Sequence, residues 1–152
     1  IAIESLNLGV DNAKIYQTVY ENRSPEQIAL LAKILDILDY DLDGQLAWFV
    51  IDQNMLIESG AKNKDVDGFT DFVRTIKGVE VAVMFFEIET NVFRINFRSK
   101  GKYIINDLAK EIGGGGHKFA AGAMIKGNSS SVITNVLSKA KSSFLLQNKE
   151  KN

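Results

Sequence analysis

Apolar residues near the start of the chain recur three or four positions apart, which is the spacing of an amphipathic helix. One such stretch follows Asp11, which can cap it. The next begins at Ser24, with the single proline at the first helical position and Gln27 placed to complete a capping box. The apolar stripe of this second helix comprises Ile28, Leu31, Ile34, Leu35 and Leu38. The pattern predicts two helices in this part of the chain.

Beyond residue 45, short apolar runs alternate with helical stripes. The run LAWFVI predicts a buried strand, and residues 52–59 predict a helix that ends at Gly60. The segment DVDGFTDFVRTIKG predicts a further helix that ends near Gly78. The apolar residues at helical offsets in this segment are Phe69, Phe72, Val73 and Ile76.

The segments VEVAVMFFEI and NVFRINFRS are rich in β-branched and aromatic residues and predict a β-hairpin with a turn near Asn91. Residues 103–112 predict a helix, AAGAMIKG predicts a strand, and residues 129–146 predict a final amphipathic helix. Together these patterns predict an α/β fold. Its core is a small mixed sheet of about four to five strands with flanking helices, preceded by linker helices.

The second strand of the hairpin alternates apolar and polar residues, so it should present two different faces. The apolar face comprises Phe93, Ile95 and Phe97, and the polar face comprises Arg94, Asn96 and Arg98. We expect the apolar face to pack in the core. The polar face is then free to meet a ligand.

Composition limits the classes of protein to consider. The 152 residues are 45% hydrophobic, which suits one compact core with a short appendage. The formal net charge of −1 provides no overall positive field for long nucleic acids, so any anion site must be local. The chain has no cysteine and no apolar run of the roughly 18 residues that a membrane span requires. We expect a soluble, cytoplasmic protein with no membrane partner.

The loop DYDLDG matches the first half of an EF-hand calcium loop, with carboxylates and a glycine at the required spacing. The last position of such a loop requires a bidentate glutamate, but the sequence has Val50 there, inside the predicted strand. We therefore interpret this loop as a solvated linker between the first helices and the domain that follows.

Four consecutive glycines, Gly113 to Gly116, directly precede the single histidine, His117. Glycine loses more backbone entropy on folding than any other residue, so such a run requires a geometric reason or the close approach of a ligand. One interpretation is a nest of exposed amides that binds a phosphate. The imidazole and a bidentate fork from Arg98 at the strand end could assist.

Structural explanations remain open beside this one. Gly113 is suited to ending a helix, His117 could be a packing residue, and Arg98 could pair with a carboxylate such as Glu80. The glycine run is not a Walker loop, because G-x-x-x-x-G-K-[ST] is absent. It also follows a predicted helix, whereas a dinucleotide-binding loop follows a strand.

The string GGGGHKFAAGA resembles the G-G-G-H-x-x-A-A-G signature of the DHH-associated domain in DHH-family phosphoesterases. GFTDFVRTIKGVEVAVMF resembles the segment that enters the central hairpin of that domain, and INFRSK resembles its Arg-Ser strand end. Upstream, GVDNAKIYQTVYENRSPEQIALLAKILDIL resembles the tail of the DHH domain and the linker helices in the nanoRNase and pAp phosphatase branch. The resemblance covers nearly the whole chain.

The resemblance implies a two-lobed enzyme in which an amino-terminal DHH lobe holds manganese and this second lobe grips the substrate. The chain has one histidine and no Asp-His-His triplet, so it lacks the paired-metal site that two-metal phosphoester hydrolysis requires. We therefore expect no cofactor, no metal and no hydrolysis in this chain alone. We expect it to belong to a longer protein that contains the DHH lobe and could form a homodimer.

The implied limits are 1–44 for the helical tail and linker, 45–147 for the substrate-binding domain and 148–152 for a frayed tail. The residues implied to hold a phosphate or terminal nucleotide are Gly114, Gly115, Gly116 and His117, with Arg98 at a neighbouring phosphate. More weakly implied contacts are Arg74, Ser99 and Lys118.

The ligands expected from the resemblance are a short oligonucleotide, a mononucleotide or a nucleoside bisphosphate, and the whole enzyme would hydrolyse short oligoribonucleotides or pAp. The alternatives are the lobe of a cyclic-dinucleotide phosphodiesterase or of a RecJ-like single-strand exonuclease, or a non-catalytic nucleic-acid-binding module.

Overall fold

The computed structural model describes residues 11, 13–14, 16–17 and 21–149. The helices complete within these residues are α1 (Pro25–Asp36), α2 (Gln53–Ser59), α3 (Phe69–Arg74), α4 (Asn106–Glu111) and α5 (Ser129–Lys149). The strands are β1 (Asp39–Asp41), β2 (Leu46–Ile51), β3 (Val81–Glu89), β4 (Val92–Ser99), β5 (Gly115–His117) and β6 (Ala120–Lys126). A 3₁₀ turn, Asn63–Val66, lies between α2 and α3. Most of the helix predicted after Asp11 lies outside the described residues.

The strands form one sheet in the order β1-β2-β3-β4-β6-β5. β2 and β3 are parallel, and the other neighbouring strands are antiparallel. The prediction of an α/β fold with a small mixed sheet is confirmed, and the sheet has one strand more than the upper end of the prediction. The two strands that the sequence pattern did not reveal are β1 and β5.

The DYDLDG segment is part of the sheet, so its interpretation as a solvated linker is wrong. Asp39–Asp41 pairs with β2, with Tyr40 opposite Ala47. The chain then turns through three residues with positive φ, which are Leu42, Asp43 and Gly44. The strand escaped prediction because it has only three residues, which is too few for an alternating pattern to show.

The glycine run is divided between a helix end and an edge strand, so the prediction of a loop is wrong. Gly113 has a φ of 83°, the left-handed conformation that ends a helix, and it directly follows the turn after α4. Residues Gly115–His117 form β5, which pairs antiparallel with β6. Only Lys118 and Phe119 separate the two strands.

Two helices are shorter than predicted. α3 ends at Arg74, and the chain continues through turns in which the Ile76 and Val79 amides donate to carbonyls three residues earlier. α4 begins at Asn106 because the preceding amide, that of Ile105, donates to the Lys118 carbonyl at 2.9 Å, which ties this segment to the β5–β6 turn.

Helices cover the two faces of the sheet, as the alternation on β4 predicts. The apolar face of β4 is buried in a core with residues of α4 and α5, where the Tyr103 and Phe144 rings stack at 4.5 Å. On the opposite face, α1, α2 and α3 pack over residues of β2 and β3. The polar residues of β4 lie on this second face and are half-buried; they are Arg94, Asn96 and Arg98.

Candidate functional site

Arg98 lies near the end of β4, on the face of the sheet that carries α3. Its Nε donates to Oδ2 of Asp71 at 3.1 Å, and its Nη1 donates to the Phe97 carbonyl at 3.0 Å. Its side chain is 29% exposed. Both bonds fix the plane of the guanidinium, so the fork keeps its remaining N–H groups in a defined orientation. The carboxylate partner is Asp71, not Glu80.

Arg74, at the end of α3, shares this carboxylate. Its Nη2 lies 3.2 Å from Oδ1 of Asp71, and its Nη1 donates to the Ser99 carbonyl at 3.1 Å. The Ser99 hydroxyl accepts from the Gly101 amide and is buried. Ser99 therefore contributes its backbone to the site through Arg74, and its side chain holds the loop after β4.

His117 and Lys118 reach the same place from the edge strand β5 and from the turn that follows it. Residues Arg98, Ala120 and His117 stand side by side on β4, β6 and β5, so the first and last of them are about 10 Å apart at two strand spacings. Between them opens a cavity of about 530 Å³. Its lining residues are Asp71, Arg74, Arg98, His117, Lys118, Phe119 and Ala120. We call it the Arg98 cavity.

The structure thus brings together four of the predicted side chains, those of Arg74, Arg98, His117 and Lys118. The sequence did not reveal Asp71, which holds both guanidinium groups. The i, i+3 spacing of Asp71 and Arg74 on a helix was the available signal. The cavity has three cationic side chains against one carboxylate, an excess of positive charge that the overall net charge of −1 conceals.

Two amides of the glycine run are already bonded within the protein. The Gly113 amide donates to the Lys110 carbonyl at 3.0 Å, and the Gly114 amide donates to the Ala109 carbonyl at 2.8 Å. These two amides are therefore not free to take part in the predicted phosphate nest, and of its residues Gly114 is the one affected. The helix end needs these two donors for itself, as helix termini commonly do.

Close approach of the glycine segment to β6 accounts for Gly114 and Gly116. A Cβ on Gly114 would lie 2.1 Å from the Gly122 carbonyl oxygen, and one on Gly116 would lie 2.6 Å from the Ala120 carbonyl oxygen. Gly115 differs, because a Cβ there would meet nothing within 4 Å. Its lack of a side chain serves no packing purpose in the described structure.

A larger cavity, of about 790 Å³, lies beyond the Lys118–Phe119 turn, between α4 and α5. Its charged lining residues are Lys102, Lys118, Lys139, Asp107 and Glu111. Acidic and basic groups are nearly balanced there, and the Arg98 cavity therefore presents the better anion site although it is smaller.

Among residues 21–149 and the few described before them, no three His, Asp or Glu side chains are grouped closely enough to hold a metal ion. His117, the one histidine, lies among cations, which is an unfavourable setting for a metal. The donor set of a metallophosphoesterase centre therefore does not fit these residues. No helix in the described part of the chain is long and apolar enough to cross a membrane.

The sequence and fold define a family. A model of the DHHA1 domain matches residues 43–144. The chain belongs to this family, the carboxy-terminal domain of DHH-family proteins, as the string GGGGHKFAAGA predicted.

The chain is also similar to two curated proteins and to a solved structure. The bifunctional oligoribonuclease and PAP phosphatase NrnA of Thermus thermophilus is 30% identical over 127 residues, which cover 84% of this chain and 37% of that protein. The Bacillus subtilis protein of the same name is 28% identical over 122 residues, covering 80% of this chain and 38% of the relative. A crystal structure of an exopolyphosphatase-related protein from Bacteroides fragilis superposes with a TM-score of 0.86 at 26% identity, over 97% of this chain and 43% of that one. The chain spans less than half the length of each.

Proposed function

We propose that this chain is the substrate-binding lobe of a DHH-family phosphoesterase that hydrolyses short oligoribonucleotides or pAp. In this proposal the Arg98 cavity holds a phosphate of the substrate. One observation carries it: Arg74, Arg98, His117 and Lys118 converge on one cavity although they come from a helix, a central strand, an edge strand and a turn. The names of the two NrnA relatives are consistent with this substrate class.

The hydrogen bonds inside the cavity support an anion ligand. Arg98 donates through Nε and Nη1, which leaves Nη2 without a partner among the described residues, and Arg74 likewise retains N–H groups. Asp71 orients both forks, but it is 45% exposed and cannot neutralise two guanidinium groups. A phosphate would supply the missing negative charge, and the Lys118 ammonium and the His117 imidazole would approach it from the other side.

In this proposal the main contribution of the glycines is space for the ligand, and hydrogen-bond donation by their amides is secondary. Gly115 faces the same side of the sheet as His117, and the room beside it is open. A phosphate or sugar could therefore approach the backbone of β5 closely, as glycine positions near ligands often allow. Gly114 and Gly116 keep the strand close to β6.

Hydrolysis belongs to the whole enzyme in this proposal. The described residues do not fit a metal centre, so we assign manganese to the DHH lobe and propose that this chain alone is inactive. Its partners would be that lobe and, in the assembled enzyme, a second copy.

The test is calorimetric titration of the chain with adenosine monophosphate, pAp, a short oligoribonucleotide and cyclic di-AMP. We expect Arg98→Ala to weaken binding of the phosphorylated ligands by about 10- to 150-fold, the loss of a charged hydrogen bond worth about 1.5–3 kcal/mol. Lys139→Ala removes a half-buried lysine that lines the other cavity; it is the control and should bind normally. Equal affinities of wild type and Arg98→Ala for these ligands would show that the Arg98 cavity does not bind the phosphate. Tighter binding of cyclic di-AMP than of the other ligands would favour the lobe of a cyclic-dinucleotide phosphodiesterase.

A further inference from the structure

The two-residue turn between β5 and β6 carries Lys118, which lines the Arg98 cavity. Both backbone carbonyls of this turn accept hydrogen bonds. The Phe119 carbonyl accepts from the Ser99 amide at 3.0 Å, which extends the pairing of β4 with β6. The Lys118 carbonyl accepts from the Ile105 amide at 2.9 Å, which ties the turn to the segment that leads into α4.

The second of these bonds supports a weak part of the sheet. β5 has three residues and lies at the edge, where its neighbour is β6. A short edge strand has few hydrogen bonds, so it opens at a low cost in free energy unless other contacts hold it. The Ile105 amide provides such a contact directly after His117. The positions of the His117 and Lys118 side chains at the cavity therefore depend on the position of Ile105.

The segment before Ile105 has no regular secondary structure, and the end of α5 holds it in place. The Gln147 side chain forms two hydrogen bonds with the backbone of Ile104. Its Oε1 accepts from the amide at 2.8 Å, and its Nε2 donates to the carbonyl at 2.9 Å. The same Nε2 lies 3.2 Å from the Ser143 hydroxyl, which orients the carboxamide on the helix. One side chain thus bonds both backbone groups of Ile104, as a neighbouring strand would.

Tyr103, the residue before Ile104, is held by the same end of α5. Its ring stacks on Phe144 at 4.5 Å, and its hydroxyl accepts from Nδ2 of Asn148 at 3.0 Å. Tyr103 is buried, whereas Ile104 is 39% exposed, so water can replace the bonds of Ile104 if Gln147 is lost. Loss of the Gln147 carboxamide should therefore loosen this segment without unfolding the chain.

We propose that Gln147 is a positioning residue for the anion site. It fixes the segment before α4, and this segment places the turn that carries His117 and Lys118 at the Arg98 cavity. Gln147 itself lines the larger cavity between α4 and α5, so its effect on a phosphate passes through the backbone of the turn. This inference rests on the proposed function, because it requires that the Arg98 cavity binds a phosphate.

The experiment is calorimetric titration of two glutamine variants of the chain, Gln147→Met and Gln53→Met, with adenosine monophosphate. Methionine is an unbranched, strong helix former like glutamine, but it cannot form the carboxamide hydrogen bonds. Gln53 is the matched control, because its Nε2 donates to the Glu87 and Ile88 carbonyls at the end of β3 away from the cavity. We expect Gln147→Met to lower the affinity about fivefold and Gln53→Met to change it by less than about twofold.

Two further measurements test the route by which Gln147 acts. In the double variant His117→Ala/Lys118→Ala the side chains that Gln147 positions are absent, so adding Gln147→Met should lower the affinity by less than about twofold. In the chain without ligand, hydrogen exchange of the Ile105 amide should be about fivefold faster in Gln147→Met than in wild type, and unchanged in Gln53→Met.

The outcomes separate this inference from the proposed function. If Arg98→Ala weakens binding and Gln147→Met does not, the inference is overturned and the proposed function stands. An equal loss in Gln53→Met would also overturn it, since the effect would then be one of general stability. The same holds if Gln147→Met still lowers the affinity about fivefold when both positioned side chains are absent. No binding of adenosine monophosphate to wild type would overturn the proposed function and this inference with it.

Discussion

Alanine substitutions at Gly114 and Gly115 separate packing from ligand binding in the glycine run. The two residues are adjacent, but their surroundings are opposite. A Cβ at Gly114 would lie 2.1 Å from the Gly122 carbonyl oxygen and 2.6 Å from the Ala123 Cβ, whereas one at Gly115 would meet nothing within 4 Å. Neither residue has a positive φ, so the comparison concerns space and not backbone strain.

The expected stabilities follow from these distances. Gly114→Ala forces a methyl group against the backbone of β6, which cannot rotate away, so it should cost at least about 1–3 kcal/mol. Gly115→Ala adds a methyl group to open space and reduces the freedom of the unfolded chain, so it should be neutral or stabilise by up to about 1 kcal/mol. For a chain of 152 residues each kcal/mol corresponds to about 2–4 °C in Tm. The two variants should therefore differ by at least about 2–12 °C.

The measurement is thermal unfolding followed by circular dichroism and calorimetry. A Tm for Gly115→Ala as low as that of Gly114→Ala would refute the reasoning from distances. The folded Gly115→Ala protein then tests ligand approach. If a nucleotide approaches the backbone of β5 here, the methyl group should lower the affinity for adenosine monophosphate about tenfold, the effect of a steric clash of about 1–2 kcal/mol. Unchanged affinity would place the ligand elsewhere.

Two further predictions concern stability. Phe144→Ala removes a buried ring stacked on Tyr103 and should cost about 3–5 kcal/mol in urea unfolding; a loss below about 1 kcal/mol would show that α5 contributes little to the core. The hydrogen bond from Lys141 to Asp41, aided by the Leu42 amide, lowers the pKa of the Asp41 carboxyl. Its stabilising effect is therefore present above the unfolded pKa of about 3.9 and is lost as pH falls through the lower folded value. The free energy of unfolding of wild type should exceed that of Lys141→Met by less than about 1 kcal/mol at pH 7, and the difference should shrink as the pH falls below about 3.9. A difference that does not shrink in acid would contradict the assignment.

Periodicity predicted the parts of this fold in which many residues repeat one pattern. The run LAWFVI coincides with β2, and the alternation from Phe93 to Arg98 on β4 places each side chain on the correct face. These segments have six or more residues with one or both faces buried, so the order of their apolar and polar residues indicates which faces are buried. The same alternation also predicted one part of the candidate site correctly, because it placed Arg98 on the polar face of β4.

The rest depends on contacts between residues distant in sequence. β5 consists of two glycines and a histidine, which have low strand propensity, and it forms because β6 lies beside it. Position 114 requires glycine because the Gly122 carbonyl, eight residues away, leaves no room for a side chain. The partner of Arg98 is the Asp71 carboxylate, 27 residues away. No local pattern encodes either distance.

The parallel pairing of β2 and β3 requires the chain to travel back along the sheet before β3 can begin. Asp71 and Arg74 lie on α3 in this return path, whereas Arg98 and His117 lie on the sheet itself. One wall of the Arg98 cavity therefore comes from the segment that connects β2 to β3, and not from the sheet itself. Substitutions at the half-buried positions of α3 can reshape that wall while the sheet and the glycine segment stay as they are, whereas Phe69 and Val73 on the same helix are buried in the core. Ligand choice in such a domain can thus diverge without a new fold.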